Sequence, residues 1–172
     1  MKRMLLHVCC AVCASHAVGV LRDEYDVTLF FANPNIDTDE EYARRLRAAQ
    51  ELGEICGCPL VEDERDHAAW LECVKGLESE PERGRRCEVC FRHNLERTAR
   101  YAEAHGFDAF TTSLTISPHK DTAMIFRAGR PWPTFRPIDF KKQDGFRKAT
   151  EFSRQHGLYR QNYCGCEFSR RG

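Results

Sequence analysis

The sequence predicts an α/β domain whose helices pack on a mainly parallel sheet, with a metal site at the carboxyl edge of that sheet. Two observations carry this. Short apolar runs alternate with helical patterns along the chain, the signature of βαβ units. The first of these runs, Met4–Val8, ends in Cys9 and Cys10 with Cys13 one helical turn later, so three thiols stand where strand passes into helix. In an open α/β sheet ligands bind at that edge, and amides at a helix N-terminus favour thiolate over thiol.

The elements follow in order. Ala11–Leu21 reads as the first helix and Asp26–Ala32, with Val27, Leu29, Phe30 and Phe31, as a second buried strand. The turn-rich Asn33-Pro34-Asn35-Ile36-Asp37 comes next, at the proposed site edge. Asp39–Cys56 is a helix with Thr38 or Asp39 as cap and Gly57 beyond its end. Pro59–Val61 is a short strand, and His67–Leu77 a helix that places Cys73 beside Trp70. Cys56, Cys58 and Cys73 read as small buried hydrophobes. The polar stretch Glu78–Arg86 is a loop that delivers Arg83, Arg85 and Arg86 to a helix opened by Cys87 and Cys90 and running to Ala104. Asp108–Thr115 is a strand, Thr122–Ala128 a short helix and Gly129–Pro133 a loop. Thr134–Phe140 reads as an edge strand because of Pro137, and Gln143–His156 as a helix stopped by Gly157.

At 172 residues, 42% hydrophobic and 30% charged, the chain is most simply one domain with a substantial core. No run of about 18 apolar residues occurs, so no membrane span is expected. The apolar run before Cys9 is shorter than the roughly 7–15 residues of a signal-peptide core, so the expected compartment is the cytoplasm. Disulfides are rare there, and ten cysteines point to metal or redox chemistry. Net charge is zero but unevenly spread. Residues 1–118 hold 14 Lys and Arg against 21 Asp and Glu; residues 119–172 hold 12 against 5, a basic third suited to a phosphate backbone.

Seven thiols fall in three motifs, Cys9-Cys10-x-x-Cys13, Cys87-x-x-Cys90 and Cys164-Gly165-Cys166. A structural zinc closes with four ligands, which leaves three thiols over. A 4Fe-4S cluster also takes four, from cysteines alone. Adjacent residues such as Cys9 and Cys10 aim in different directions and suit two neighbouring metals better than one. The spacing favours a cluster with a second metal, or a cluster with a redox pair; one zinc with spare cysteines is the plainer alternative.

These motifs resemble the QueH family of epoxyqueuosine reductases. The matching stretches are His-Val-Cys-Cys-Ala at 7–11, Asn-Pro-Asn-Ile at 33–36 and Arg-Cys-x-x-Cys at 86–90. Thr-Thr-Ser-Leu with Ile-Ser-Pro-x-Lys lies within 111–120, Asp-Phe-Lys-Lys at 139–142, and Leu-Tyr-Arg-Gln-Asn-Tyr-Cys-Gly-Cys-x-Phe-Ser at 158–169. The resemblance implies a three-layer, Rossmann-related domain of the HUP-like kind. It implies a 4Fe-4S cluster beside a mononuclear iron, and reduction of epoxyqueuosine to queuosine in the anticodon loop of tRNA. Position 13 is Cys here, where some relatives place Asp as an iron ligand. On this footing Cys10, Cys87, Cys90 and Cys166 are assigned to the cluster and Cys9, Cys13 and Cys164 to the single iron.

Turning an epoxide into an alkene and water consumes two electrons and two protons. No flavin or nicotinamide motif is visible, so the expected electron source is an external ferredoxin or flavodoxin. Tyr163, Lys120 and His7 are the proton-donor candidates, although His7 also reads as an ordinary buried strand residue. Candidate tRNA backbone contacts are Arg83, Arg85, Arg86, Lys141, Lys142, Arg147 and Lys148. Tyr42, Phe91 and Trp132 are candidates for stacking on a base. The competing readings are an ATP-using tRNA sulfur transferase and a zinc-binding module without activity. The first requires a glycine- and serine-rich phosphate loop where this chain has Cys-Cys-Ala-Val-Cys.

Overall fold

In a computed structural model that describes residues 1–170, the chain is α/β with a four-stranded, all-parallel sheet. The strands are β1 (Lys2–His7), β2 (Tyr25–Phe31), β3 (Leu60–Glu62) and β4 (Ala109–Thr112), in the order β3-β2-β1-β4. Six α-helices connect and flank them: α1 (Ala11–Leu21), α2 (Asp39–Cys56), α3 (His67–Cys73), α4 (Arg85–Ala104), α5 (Thr122–Gly129) and α6 (Gly145–His156). Among the described residues no helix is long and apolar enough to cross a membrane.

Alternation along the central strand sorts the helices into layers. Met4, Leu6 and Val8 join Val27, Leu29 and Phe31 in a core covered by α1, α2 and α6. Leu5, Phe30 and Phe110 face the opposite core, covered by Phe91, Leu95 and Ala99 of α4 and by Met124, Ile125 and Ala128 of α5. Both faces of the sheet are therefore buried, as an all-parallel sheet requires. A smaller cluster of Trp70, Val74, Cys90 and Cys166 lies beside them.

The predicted boundaries shift by one or two residues at most ends, and four differences bear on the site. The helix expected over His67–Leu77 ends at Cys73, because the chain turns through Gly76 at φ +87. Helix α4 starts at Arg85, so Cys87 lies in its first turn rather than at its head. The strand expected over Asp108–Thr115 stops at Thr112, and Ser113–Ile116 forms a 3-10 turn. Thr134–Phe140 is not a strand. It meets β4 only at the parallel bridge Phe110–Phe135, and hydroxyls replace the ladder, with Thr111 Oγ1 donating to the Arg136 carbonyl at 2.7 Å and Thr115 Oγ1 to the Ile138 carbonyl at 2.8 Å. Pro133 and Pro137, which lack an N–H, explain the loss.

Candidate metal centre

Strand β1 pairs with β2 on one side and β4 on the other, so the chain leaves the sheet in opposite directions at β1 and β4. A crevice opens above their carboxyl ends, the usual ligand position of such sheets. Below it, His7 is fully buried: its Nε2 donates to the Ala32 carbonyl and its Nδ1 accepts from the Thr112 hydroxyl, both at 2.9 Å. Burial holds the imidazole down at a pKa of about 4. With both ring nitrogens engaged, His7 is a strut between three strand ends and not a proton donor to the crevice.

Cys9 follows directly. The Ser113 hydroxyl donates to the His7 carbonyl at 3.1 Å and accepts from the Cys9 amide at 3.3 Å, which fixes the first thiol against the turn after β4. Cys10 caps α1, its sulfur accepting from the Cys13 amide at 3.3 Å. The Cys9, Cys10 and Cys13 sulfurs lie within 4.8 Å of one another. Three thiols this close share charge unequally. Hydrogen bonds from Cys13 and Cys9 hold the Cys10 thiol well below its ordinary value despite burial. The donors move the other way: Cys9 is pushed up to about 12, and Cys13 also rises, each through its bond to Cys10.

The second motif comes from the other helical layer. Cys87 in the first turn of α4 accepts the Arg83 amide at 3.3 Å, and burial raises its thiol. Cys90, one turn on, is buried and raised well up by burial first, then by the neighbouring Cys164, with Cys166 and Cys87 adding to it. The Asn94 amide donates to the Cys90 sulfur at 3.8 Å and to Asn35 Oδ1 at 3.1 Å.

The third motif is held by a residue the sequence reading passed over. Arg45 is 1% exposed; its Nη1 donates to the Cys164 carbonyl at 2.6 Å, its Nη2 to the Tyr163 carbonyl at 2.9 Å and its Nε to Glu41 at 3.0 Å. The Tyr159 hydroxyl donates to the same carboxylate, at 2.6 Å to one oxygen and 2.9 Å to the other. Gly165 sits at φ +139 against this clamp, and a Cβ there would stand 2.9 Å from Arg45 Nη1. Its carbonyl accepts from the Asp37 amide at 2.9 Å, and the Tyr163 hydroxyl donates to the Asp37 carbonyl at 2.5 Å.

These three segments enclose one cavity of about 280 Å³, lined by Cys9, Cys10, Cys13, Cys87, Cys90 and Cys164 among others. Cys166 stands behind it, packed with Cys90. Lys120 and Tyr163 also line the cavity. Burial alone would lower the Lys120 ammonium, but Cys164, Cys9, Cys13 and Cys10, in that order of effect, raise it above its usual value. Six of the seven thiols line this cavity, and the seventh, Cys166, packs with one of them, Cys90. Cys10 lies among Cys9 and Cys13, while Cys164 is a charge neighbour of both Cys87 and Lys120.

Other expected contacts are corrected. Arg86 is 2% exposed; its guanidinium donates to the carbonyls of Leu77, Glu78 and Glu80 and lies 5.4 Å from the Phe168 ring, so it is unavailable to a nucleic acid. Lys141 donates to the Thr115 carbonyl at 2.7 Å and to the Thr122 hydroxyl. Tyr42 and Phe91 are core residues. Trp132 is half-buried, with the Arg100 guanidinium 5.6 Å from its ring. Arg83, Arg85, Lys142, Arg147 and Lys148 are exposed. Cys73, expected inside, is exposed with its sulfur 3.5 Å from His93 Nδ1, because α3 turns that face to solvent; Cys56 and Cys58 are half-buried.

A family model described as epoxyqueuosine reductase QueH matches residues 4–172. The chain is 40% identical over 177 residues to the epoxyqueuosine reductase QueH of Streptococcus pyogenes serotype M1, covering 96% of this chain and 69% of the relative. The QueH of Haemophilus influenzae is 35% identical, over 99% of this chain and 72% of the relative. That of Thermotoga maritima is 33% identical, over 98% and 91%. A family match over nearly the whole chain, with relatives at 33–40% identity aligned over 96–99% of it, places it among the oxidoreductases of that group: the chain belongs to the QueH family of epoxyqueuosine reductases.

Proposed function

We propose that this chain reduces epoxyqueuosine to queuosine in tRNA, using a 4Fe-4S cluster and a single iron held in the thiol-lined cavity. The observation that carries the proposal is the convergence of three distant cysteine motifs on one cavity at the sheet edge. The donor set fits such metals: the thiols are soft ligands, and Cys10 already favours its thiolate. The buried indole N–H of Trp70, which packs in one cluster with Cys90 and Cys166, makes no hydrogen bond among the described residues, as expected of a donor whose acceptor is a metal-bound thiolate.

Cys10, Cys87, Cys90 and Cys166 would hold the cluster, and Cys9, Cys13 and Cys164 the single iron; the latter three exert the largest charge effects on Lys120. When bound, these metals supply one-electron transfer and a Lewis acid for the epoxide oxygen. The chain's own groups do the rest. The Lys120 ammonium offsets the negative charge of the sulfurs and holds a proton at Nζ beside them. The Tyr163 hydroxyl holds a second, parked on the Asp37 carbonyl. Arg45 keeps Cys164 at the wall by gripping backbone, leaving the thiol free. Reduction of the epoxide to an alkene and water takes two electrons and two protons, and a ferredoxin or flavodoxin supplies the electrons. Arg83, Arg85, Lys142, Arg147 and Lys148 offer exposed charge for the tRNA backbone.

The test is anaerobic incubation of reduced, iron-loaded protein with tRNA carrying epoxyqueuosine, followed by nucleoside mass spectrometry. Loss of one oxygen is expected. An unchanged nucleoside under strong reductant, or protein that binds one zinc and no iron, overturns the proposal.

A further inference from the structure

We propose that Trp70 is a positioning residue for the metal centre, its indole N–H directed at the Cys90 sulfur so that it sets the potential of the cluster bound there. The inference rests on the function proposed above, in which Cys90 is a cluster ligand.

Trp70 is fully buried in α3, in a small cluster with Val74, Cys90 and Cys166. Its ring is pinned on both sides. The His67 ring stacks on it at 5.6 Å and 14°, and the Phe168 ring at 6.4 Å and 25°. His67 is itself fixed, with Nδ1 donating to the Pro34 carbonyl at 2.7 Å and Nε2 3.0 Å from Glu167. An indole held this firmly cannot turn its N–H to water, and that N–H is one of the buried polar atoms without a partner among the described residues.

Tyr and Trp usually find a partner for their polar atom when buried. The acceptors packed against it in that cluster are the sulfurs of Cys90, on the adjoining helix α4, and of Cys166, both assigned to the proposed 4Fe-4S cluster. A thiol is a weak acceptor, whereas a metal-bound thiolate is a strong one. The orphaned donor is satisfied when Cys90 is ligated. Asn94 Nδ2, 3.8 Å from the same sulfur, adds a second donor from α4 itself. Hydrogen bonds to cluster sulfurs stabilise the more negative, reduced state and raise the potential. Trp70 packs with Cys90 and Cys166 and not with Cys9 or Cys13, so it acts on the cluster and not on the single iron.

The experiment is an anaerobic redox titration of the iron-loaded protein followed by electron paramagnetic resonance, comparing wild type with Trp70→Phe. The expected result is unchanged iron per chain and a cluster potential shifted to more negative values. Should Trp70→Phe lose the fold, the same titration is run on protein grown with benzothienylalanine, which keeps the ring shape and lacks the N–H. It is run in a Trp132→Phe background, where position 70 holds the only tryptophan. An unchanged potential with intact iron in either protein overturns the role of Trp70 and leaves the proposed function standing. Wild-type protein that takes up iron without a cluster signal overturns both.

Discussion

Replacing Arg45 by Met separates what the clamp does for the fold from what it does for the site. Arg45 and Glu41 side chains are 1% and 7% exposed, and the guanidinium makes one bond to the carboxylate and two to the carbonyls of Tyr163 and Cys164. Removing one partner of a buried ion pair costs about 3–5 kcal/mol, because the remaining charge is stranded. The two carbonyls lose charged donors worth about 1.5–3 kcal/mol each, a loss that overlaps the first because the C-terminal segment moves away. For a chain of this length each kcal/mol moves the melting temperature by roughly 2–4 °C, so Arg45→Met is expected to melt roughly 6–20 °C lower. The assay is thermal unfolding of metal-free protein, paired with iron per chain after reconstitution. Adding Glu41→Leu removes the stranded carboxylate and recovers part of the melting loss. It returns no donor to the two carbonyls, so iron binding stays low. Arg45→Met that melts within about 2 °C of wild type and takes up full iron refutes the reasoning.

Three further outcomes follow from the same geometry. Gly165→Ala places a methyl 2.9 Å from Arg45 Nη1 and 3.1 Å from Ile36 Cγ1 at φ +139; it is expected to lose about 1–3 kcal/mol in denaturant titrations and most of its iron. Cys166→Ala is expected to lose the cluster's share of the iron and all epoxyqueuosine reduction, whereas Cys73→Ser, exposed outside the cavity, leaves both at wild-type levels by iron analysis and turnover. His7, held down to about 4, adds no pH dependence above the ordinary histidine value of about 6.5, where both states are neutral. Below it the unfolded chain takes a proton that the folded one refuses. Metal-free protein should therefore lose about 3 kcal/mol between roughly pH 6.5 and 4 in denaturant midpoints, a slope that His7→Asn flattens.

Much of the architecture was legible because hydrophobic period and turn chemistry agree. Thr38 caps α2, Gly57 ends it, and α1 runs over the predicted residues. The Pro133 and Pro137 segment failed because its apolar pattern suits a strand while its backbone lacks the donors to pair as one. The three cysteine motifs were visible as spacing, and Gly165 as the hinge between two of the thiols. Arg45 was not, since a Glu and an Arg four apart on a helix look like a surface pair. The available signal was position: Glu41, Arg45, Ala48 and Leu52 form one buried stripe. Trp70 and Asn94 were hidden for a related reason, because the donors that surround a sulfur come from α3 and α4 and share no motif with it.

The cavity wall also dictates an order of manufacture. Cys9, Cys10 and Cys13 arrive with the first crossover, Cys87 and Cys90 with α4, and Cys164 and Cys166 only after α6 is complete. A nascent chain threaded out of the ribosome therefore carries five sulfurs around an open-sided bowl before the closing strap emerges. The bowl closes only once Cys164 and Cys166 have emerged, and scission between Leu158 and Cys164 would open it while sparing the sheet beneath.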